Sequence, residues 1–434
     1  MNFFHIVCAA GVLAACSVIA QAQQQPDMEK LTRENAQLKE RVERLENELA
    51  KIKALLNERA GGIPVAAVPA GKKPVVSGLD IELYGYVKLD ASHDSSTASV
   101  GNYARWAESR SKPNIHDEFS MTANQTRLGL RIKGPESKTV QTGGLVEIDF
   151  YGGGLENKPN PMMRHAYLTA FWPDLQLQVL AGQTFDTISP LFMPTLNYSV
   201  GWWQGNIGYR RPQLRLTETL KPVEKVEVKL EAAAARTISG RALGAALTSS
   251  SGDTGQESGI PSFQGRASVG FPLLTDKPIV LGVSGHFGQE RFENNQRIDS
   301  WSINADLTVP ITKWLALQAE AFLGQDLDAY LGGAGQGVNL TTKKPIHTQG
   351  GWAAVTITPW EKWQFNAGAG IDDPRDCDLA AGNRTYNTVA FGNATYFVTP
   401  NLSIGLELSY LHTGYRDQEP GEDFREQLCF IYKF

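Results

Sequence analysis

From Asp80 to Phe434 apolar and polar residues alternate with a period of two. The clearest stretches are Trp301-Ser302-Ile303-Asn304-Ala305-Asp306-Leu307-Thr308-Val309 and Leu402-Ser403-Ile404-Gly405-Leu406-Glu407-Leu408-Ser409-Tyr410. Such alternation gives a strand one apolar and one polar face. Sixteen segments of this kind start near residues 80, 118, 140, 163, 175, 206, 223, 263, 279, 299, 313, 349, 362, 386, 401 and 425. Their even number allows an antiparallel sheet to close on itself. Short turns follow the even segments, commonly with proline, as at Trp172-Pro173-Asp174, Lys221-Pro222, Asp276-Lys277-Pro278 and Thr399-Pro400-Asn401. Long polar stretches follow most odd segments, such as 92–117, 184–205, 237–262, 325–348 and 373–385. Short turns at one rim and long loops at the other predict an all-β transmembrane barrel of 16 antiparallel strands over 80–434.

The competing architecture is a soluble β-sandwich, which keeps its apolar face inside and its surface polar. Aromatic placement argues against it: Trp172, Trp301, Trp314, Trp352, Trp360 and Trp363 fall at or near segment ends, where interfacial girdles sit. In the last segment Phe430, Tyr432 and Phe434 share a face, and a terminal Phe434 there resembles the signal read by the outer-membrane assembly machinery.

A different period governs residues 23–60. Leu31, Leu38, Leu45 and Ile52 take d positions, and Met28, Asn35, Val42, Leu49 and Leu56 take a, over four heptads with charged residues outside. This predicts an α-helical coiled coil ahead of the barrel; Asn35 in the seam costs stability but fixes register. The heptads do not choose dimer from trimer. Before the helix, an apolar stretch too short to span a membrane ends near Ala20-Gln21-Ala22, which reads as a signal peptide of residues 1–22. Leu13-Ala14-Ala15-Cys16 also resembles a lipoprotein box, leaving lipidation of Cys16 as the alternative. After the helix, residues 61–79 are rich in Gly, Pro and Ala and form a linker. Cleavage leaves Cys377 and Cys429, either as free thiols or as one loop-to-strand disulfide.

Composition changes little in this picture. Of 41 Lys and Arg, ten precede residue 80; of 46 Asp and Glu, eight do, so the barrel is net acidic. Nothing in that balance attracts nucleic acid. Past the signal the histidines are His93, His116, His165, His286, His347 and His412, scattered without metal-ligand spacing or a nucleophile motif. No catalytic residue, cofactor or metal site is therefore expected.

The order of signal peptide, heptad helix, linker, and Leu83-Tyr84-Gly85-Tyr86-Val87-Lys88-Leu89-Asp90 opening a barrel that ends in Phe434 resembles the DcaP-like porins of the outer membrane. The resemblance implies a homotrimer of sixteen-stranded barrels embedded in outer-membrane lipid. It also implies a periplasmic coiled coil joining the three chains, and passive uptake of small anions such as dicarboxylates. The alternative is a general, non-selective porin whose coiled coil is a structural envelope tether.

Charge marks the lumen side of each strand, because lipid-facing positions tolerate it poorly. Arg127 and Arg131 then face inward, as do Arg211, Arg215, Arg266 and Arg425. A guanidinium stays charged and offers a carboxylate a planar fork, so these six form the expected anion path. They would otherwise brace against Glu147, Asp149, Glu227, Glu231, Asp306, Glu320 and Glu407, which alternation also turns inward. The loop after the fifth segment is unusually apolar. By resemblance it folds inward to narrow the channel, with Asp186, Ser189 and Tyr198 at the constriction; burial at the trimer interface is the alternative.

Overall fold

A computed structural model describes residues 80–98, 103–135, 137–153, 158–239, 254–292 and 295–434. The signal peptide, heptad helix and linker expected before residue 80 lie outside the described residues. The chain forms one closed antiparallel barrel. Its strands are β1 (Asp80–Asp94), β2 in two pieces (Glu118–Thr122 and Arg127–Lys133), β3 (Gln141–Asp149), β4 (Met162–Trp172), β5 (Leu177–Phe185), β6 (Arg210–Val223), β7 (Val226–Ala235) and β8 (Ser262–Pro272). They continue with β9 (Pro278–Arg291), β10 (Arg297–Pro310), β11 (Leu315–Gln325), β12 (His347–Trp360), β13 (Trp363–Pro374), β14 (Arg384–Phe397), β15 (Leu402–Tyr415) and β16 (Gln418–Lys433).

Both pieces of β2 pair with the same edge of β1, Asp80–Tyr86 against Arg127–Lys133 and Asp90–Asp94 against Glu118–Thr122, so the ring contains sixteen strands. The other edge of β1 closes on β16, from Tyr86 opposite Lys433 to Asp94 opposite Arg425. At the seam the Gly85 N–H donates to the Phe434 carbonyl and the Phe434 N–H returns the bond to Gly85, both at 3.1 Å. A Cβ on Gly85 would meet the Arg127 carbonyl and the Phe434 ring, so the seam can close this tightly only at a glycine.

All but two segments start within three residues of the sequence reading; the two exceptions are informative. β6 begins at Arg210 instead of 206, because Asn206–Tyr209 belongs to the incoming loop. β16 begins at Gln418 instead of 425: Glu419-Pro420-Gly421 looks like a turn, but the chain reverses earlier, at Arg416-Asp417, where Asp417 takes a positive φ of 60°. Trp352 also departs from its expected girdle position. It lies buried on the inner face of β12 and donates from Nε1 to Glu320 Oε2 at 3.0 Å, since alternation along β12 turns Thr348, Trp352 and Ala354 inward.

Polarity is inverted relative to a sandwich. Leu83, Val87, Leu214, Val283, Ile303 and Leu406 point outward and exposed, whereas Asp90, Asp94, Glu147, Asp149, Asp306, Glu320 and Glu407 are buried inside. Apolar outside and polar inside is the distribution demanded by hydrocarbon around the barrel. Position in depth should then decide the effect of a charge. Val283, about midway along β9, should tolerate arginine poorly, at a cost of about 2–4 kcal/mol; Ile81, beside the short-turn rim, should lose about 0–1 kcal/mol. Denaturant unfolding of Val283→Arg and Ile81→Arg in lipid vesicles checks the contrast.

Candidate functional site: the lumen and its inward loop

Residues 186–209, between β5 and β6, leave the rim and run across the inner wall. Their base is closed by the Asp186 N–H donating to the Tyr209 carbonyl and the Tyr209 N–H donating to Asp186 Oδ2, each at 2.8 Å. Glu320 of β11 accepts from the Leu191 N–H at 2.8 Å. Asn393 of β14 donates to the Pro194 carbonyl at 2.8 Å, and Asn197 donates to Glu407 of β15 at 3.1 Å. Lys88 of β1 donates to the Leu196 carbonyl at 2.6 Å. Every one of these partners is an inward-facing residue, so the loop lies within the barrel and not on an outer, subunit-facing surface. Met193 packs against Trp352, Val389 and Phe391. Gly405 leaves room for Leu196, whose Cδ1 would stand 2.7 Å from a Cβ there.

Two further loops join it from the long-loop rim. Trp106 from the first, Tyr198, Trp202 and Trp203 from the inward loop, and Leu331 from the segment 326–346 form one buried cluster. Trp203 N–H donates to the Leu331 carbonyl at 2.8 Å, and Asn387 of β14 donates to the carbonyls of both Arg105 and Trp203 at 2.7 Å. The aromatic residues were visible in the sequence, but nothing in their spacing brings three separate loops together.

Strands β2 to β8 carry a wall of paired charge, which the loop also touches through Tyr198 and Asp149. Arg164 donates to Glu147 and Asp149, both at 2.8 Å, and Arg127 Nε lies 3.5 Å from Glu147. Glu231 lies 3.7 Å from Arg215, 3.4 Å from Lys229 and 3.2 Å from Arg266, which also holds Asp306 at 2.7 Å. Arg131 pairs with Glu82 at the short-turn end. The two signs are unequally presented: side-chain exposure is 48% for Arg131, 40% for Lys229, 23% for Arg127 and 15% for Arg215, but only 7% for Glu147 and Glu231. Arg164 at 6% and Arg266 at 8% are as buried as Glu147 and Glu231, so only Arg127, Arg215 and Lys229 stand in front of the carboxylates they neutralise, while Glu82 is itself 59% exposed.

The six expected arginines thus separate into two groups. Arg127, Arg131, Arg215 and Arg266 stand together on the β2–β8 wall, with Arg266 the most enclosed. Arg211 and Arg425 are fully buried in ion pairs, at 2.7 Å from Asp186 and from Asp94, and present no surface to the lumen. Asp186, Ser189 and Tyr198 lie on the inward loop, where all three are buried. Asp186 fastens the loop base to Arg211 and accepts from Gln264 at 2.6 Å; Tyr198 donates to Asp149 at 2.9 Å. Ser189 has a positive φ of 42° at a bend in the loop. Glu227 is exposed and takes no part in the bracing. Arg164 and Lys88 escaped the sequence reading. At Arg164 a register shift between Glu147 and Ile148 puts two consecutive residues of β4 near the inner face, which strict alternation does not reveal. Cys377 is exposed and Cys429 buried, and both are free thiols.

A closed sixteen-stranded barrel with an inward loop and a charged lumen is the fold of the outer-membrane porins. The structure is similar to the outer membrane channel DcaP of Acinetobacter baumannii, with a TM-score of 0.67 at 20% identity over 84% of this chain and 100% of that one. It is also similar to an anion-selective porin from Comamonas acidovorans, with a TM-score of 0.54 at 11% identity over 82% of this chain and 100% of the other. OmpF of Salmonella typhi gives 0.53 at 12% identity over 82% and 98%. No family model and no curated protein matches the chain. The resemblance to DcaP read from the residues is therefore shown in the fold.

The two arginine groups should respond differently to truncation. Arg425→Ala strands Asp94 in a buried site and should cost about 3–5 kcal/mol, whereas replacing both partners with apolar residues should recover most of the loss. Arg127→Ala should be mild, because Glu147 keeps Arg164. Denaturant midpoints of Arg425→Ala, the Arg425→Met/Asp94→Leu pair and Arg127→Ala check this order.

Proposed function

We propose that the protein is an outer-membrane porin, a passive diffusion channel for small hydrophilic solutes that favours small anions such as dicarboxylates. The observation that carries the reading is the unequal presentation of charge on the β2–β8 wall, where guanidinium and ammonium groups face the lumen and most of their carboxylate partners lie behind them. A passing anion meets cations first, each partly neutralised, and so is attracted without being trapped. This local asymmetry supports anion preference although the barrel carries more acid than base. Arg127, Arg131 and Arg215 are the groups a carboxylate would touch.

In this reading the barrel sits in the outer membrane as a homotrimer, with the coiled coil of residues 23–60 in the periplasm. Two features support that orientation: β1 starts at the short-turn rim, where Asp80 pairs with Lys133, and the heptads from Met28 to Leu56 supply an oligomerising seam. The same heptads support a second reading, a non-selective porin tethered to the envelope. Deleting residues 28–57 separates the two roles, since a pure tether predicts envelope defects with unchanged conductance.

The direct test is a planar bilayer under a salt gradient, with and without succinate. The expected result is an anion-directed reversal potential and a succinate-dependent drop in current. Arg127→Ala and Arg215→Ala should each reduce anion preference several-fold while leaving the barrel folded, since Glu147 and Glu231 retain Arg164 and Arg266. A cation-directed potential without succinate block would leave only the general porin.

A further inference from the structure

Beyond the channel, the rim of long loops contains three carboxylates that the lumen network does not use. Glu290 ends the inner face of β9, and Asp326 and Asp328 begin the loop between β11 and β12. One carboxylate oxygen from each lies within 4.8 Å of the others. Asp326 is 1% exposed, and neither of its side-chain oxygens has a hydrogen-bond partner. It is fixed there by its backbone: the N–H donates to the Ile346 carbonyl at 3.0 Å, its carbonyl accepts from Ser300 at 2.7 Å, and its φ is +54°. Groups so placed are costly without a compensating charge.

We propose that Glu290, Asp326 and Asp328 bind one divalent cation of the calcium type. Oxygens that all lie within 4.8 Å of one another can share one ion at about 2.4 Å from each, and hard carboxylate ligands suit calcium. Gly337 keeps the site open, because a Cβ there would press on Asp326 Oδ1 and Asp328 Oδ1 at once. A cavity of about 300 Å³, lined by Glu290, Asp328, Gln336, Gly337, Thr341 and Asn383, gives the ion a route in and room for waters to complete its shell. The ion would fasten the 326–346 loop to β9, and through Tyr330 and Leu331 the inward loop as well, since their carbonyls accept from Gly208 and Trp203. These ligands come from separate elements, so no sequence spacing announces them.

The test uses the full chain refolded in lipopolysaccharide-free detergent, titrated with calcium chloride alone by calorimetry and followed by heat-modifiable mobility on gels. The expected result is one calcium per chain and an unfolding half-life at least tenfold longer in calcium than in chelator. Asp326→Asn should abolish binding and the calcium response while making the chelated protein longer-lived, because it removes a buried like charge; a residue with only a packing role would shorten the half-life in both conditions. Gly337→Ala should abolish binding with the barrel intact, as the carboxylates can rotate away. Absence of stoichiometric calcium binding by the unsubstituted protein, or equal binding by Asp326→Asn, overturns the proposal.

Discussion

A sheet in hydrocarbon has no water to satisfy an unpaired edge, so closure of the backbone hydrogen-bond ring is the constraint on which the rest of this molecule depends. The ring closes where β1 divides its two edges between β2 and β16. Once closed, the pleat fixes two environments. One face of every strand meets lipid and must be apolar; the other meets a lumen where polar groups can pair. The exposed Leu83, Val283 and Ile303 and the buried Asp94, Asp306 and Glu407 are two consequences of one geometry.

The lumen then has a second problem, since its inner residues are too polar to pack on one another as a core. The structure solves it differently on the two sides. Along β11 to β16 and β1 the inward loop supplies backbone and side-chain groups to Glu320, Asn393, Glu407 and Lys88, making a buried interface from polar residues that are each satisfied. Along β2 to β8 charges satisfy one another while keeping contact with the lumen. Rigid support on one wall and a wetted charge network on the other is a division of labour: the first sets where the passage runs, the second what field it carries.

Strand alternation was legible in the sequence because each residue reports its own face locally. The sixteen segments, the turn asymmetry and the inward arginines follow from that rule alone. It fails where the period breaks, as at the bulge beside Arg164 and at Pro420-Gly421 near the start of a long strand, whereas at Trp352 alternation holds and the girdle expectation gives way to it. It is also silent about partners. Nothing in the local pattern distinguishes Arg425, sealed against Asp94, from Arg127, half-open beside Glu147, although both stand on inward positions. That difference comes from what the neighbouring strands and loops place around each one.

The same reasoning accounts for the opposite roles of arginine and aspartate here. A buried pair such as Arg211 with Asp186 contributes little net stability once desolvation of both ions is counted, yet breaking it is expensive, so it acts as a latch with one allowed register. Placed at the base of the inward loop, that latch fixes the angle at which the loop enters the barrel, and the stacking of Arg211 over Tyr330 at 3.9 Å extends the fixed point to the neighbouring loop. Arginines nearer the lumen cannot serve that purpose, because water competes for them; what they lose as latches they keep as field sources. Depth behind the lumen surface, more than residue type, therefore decides whether a charge in this barrel holds structure or faces the lumen.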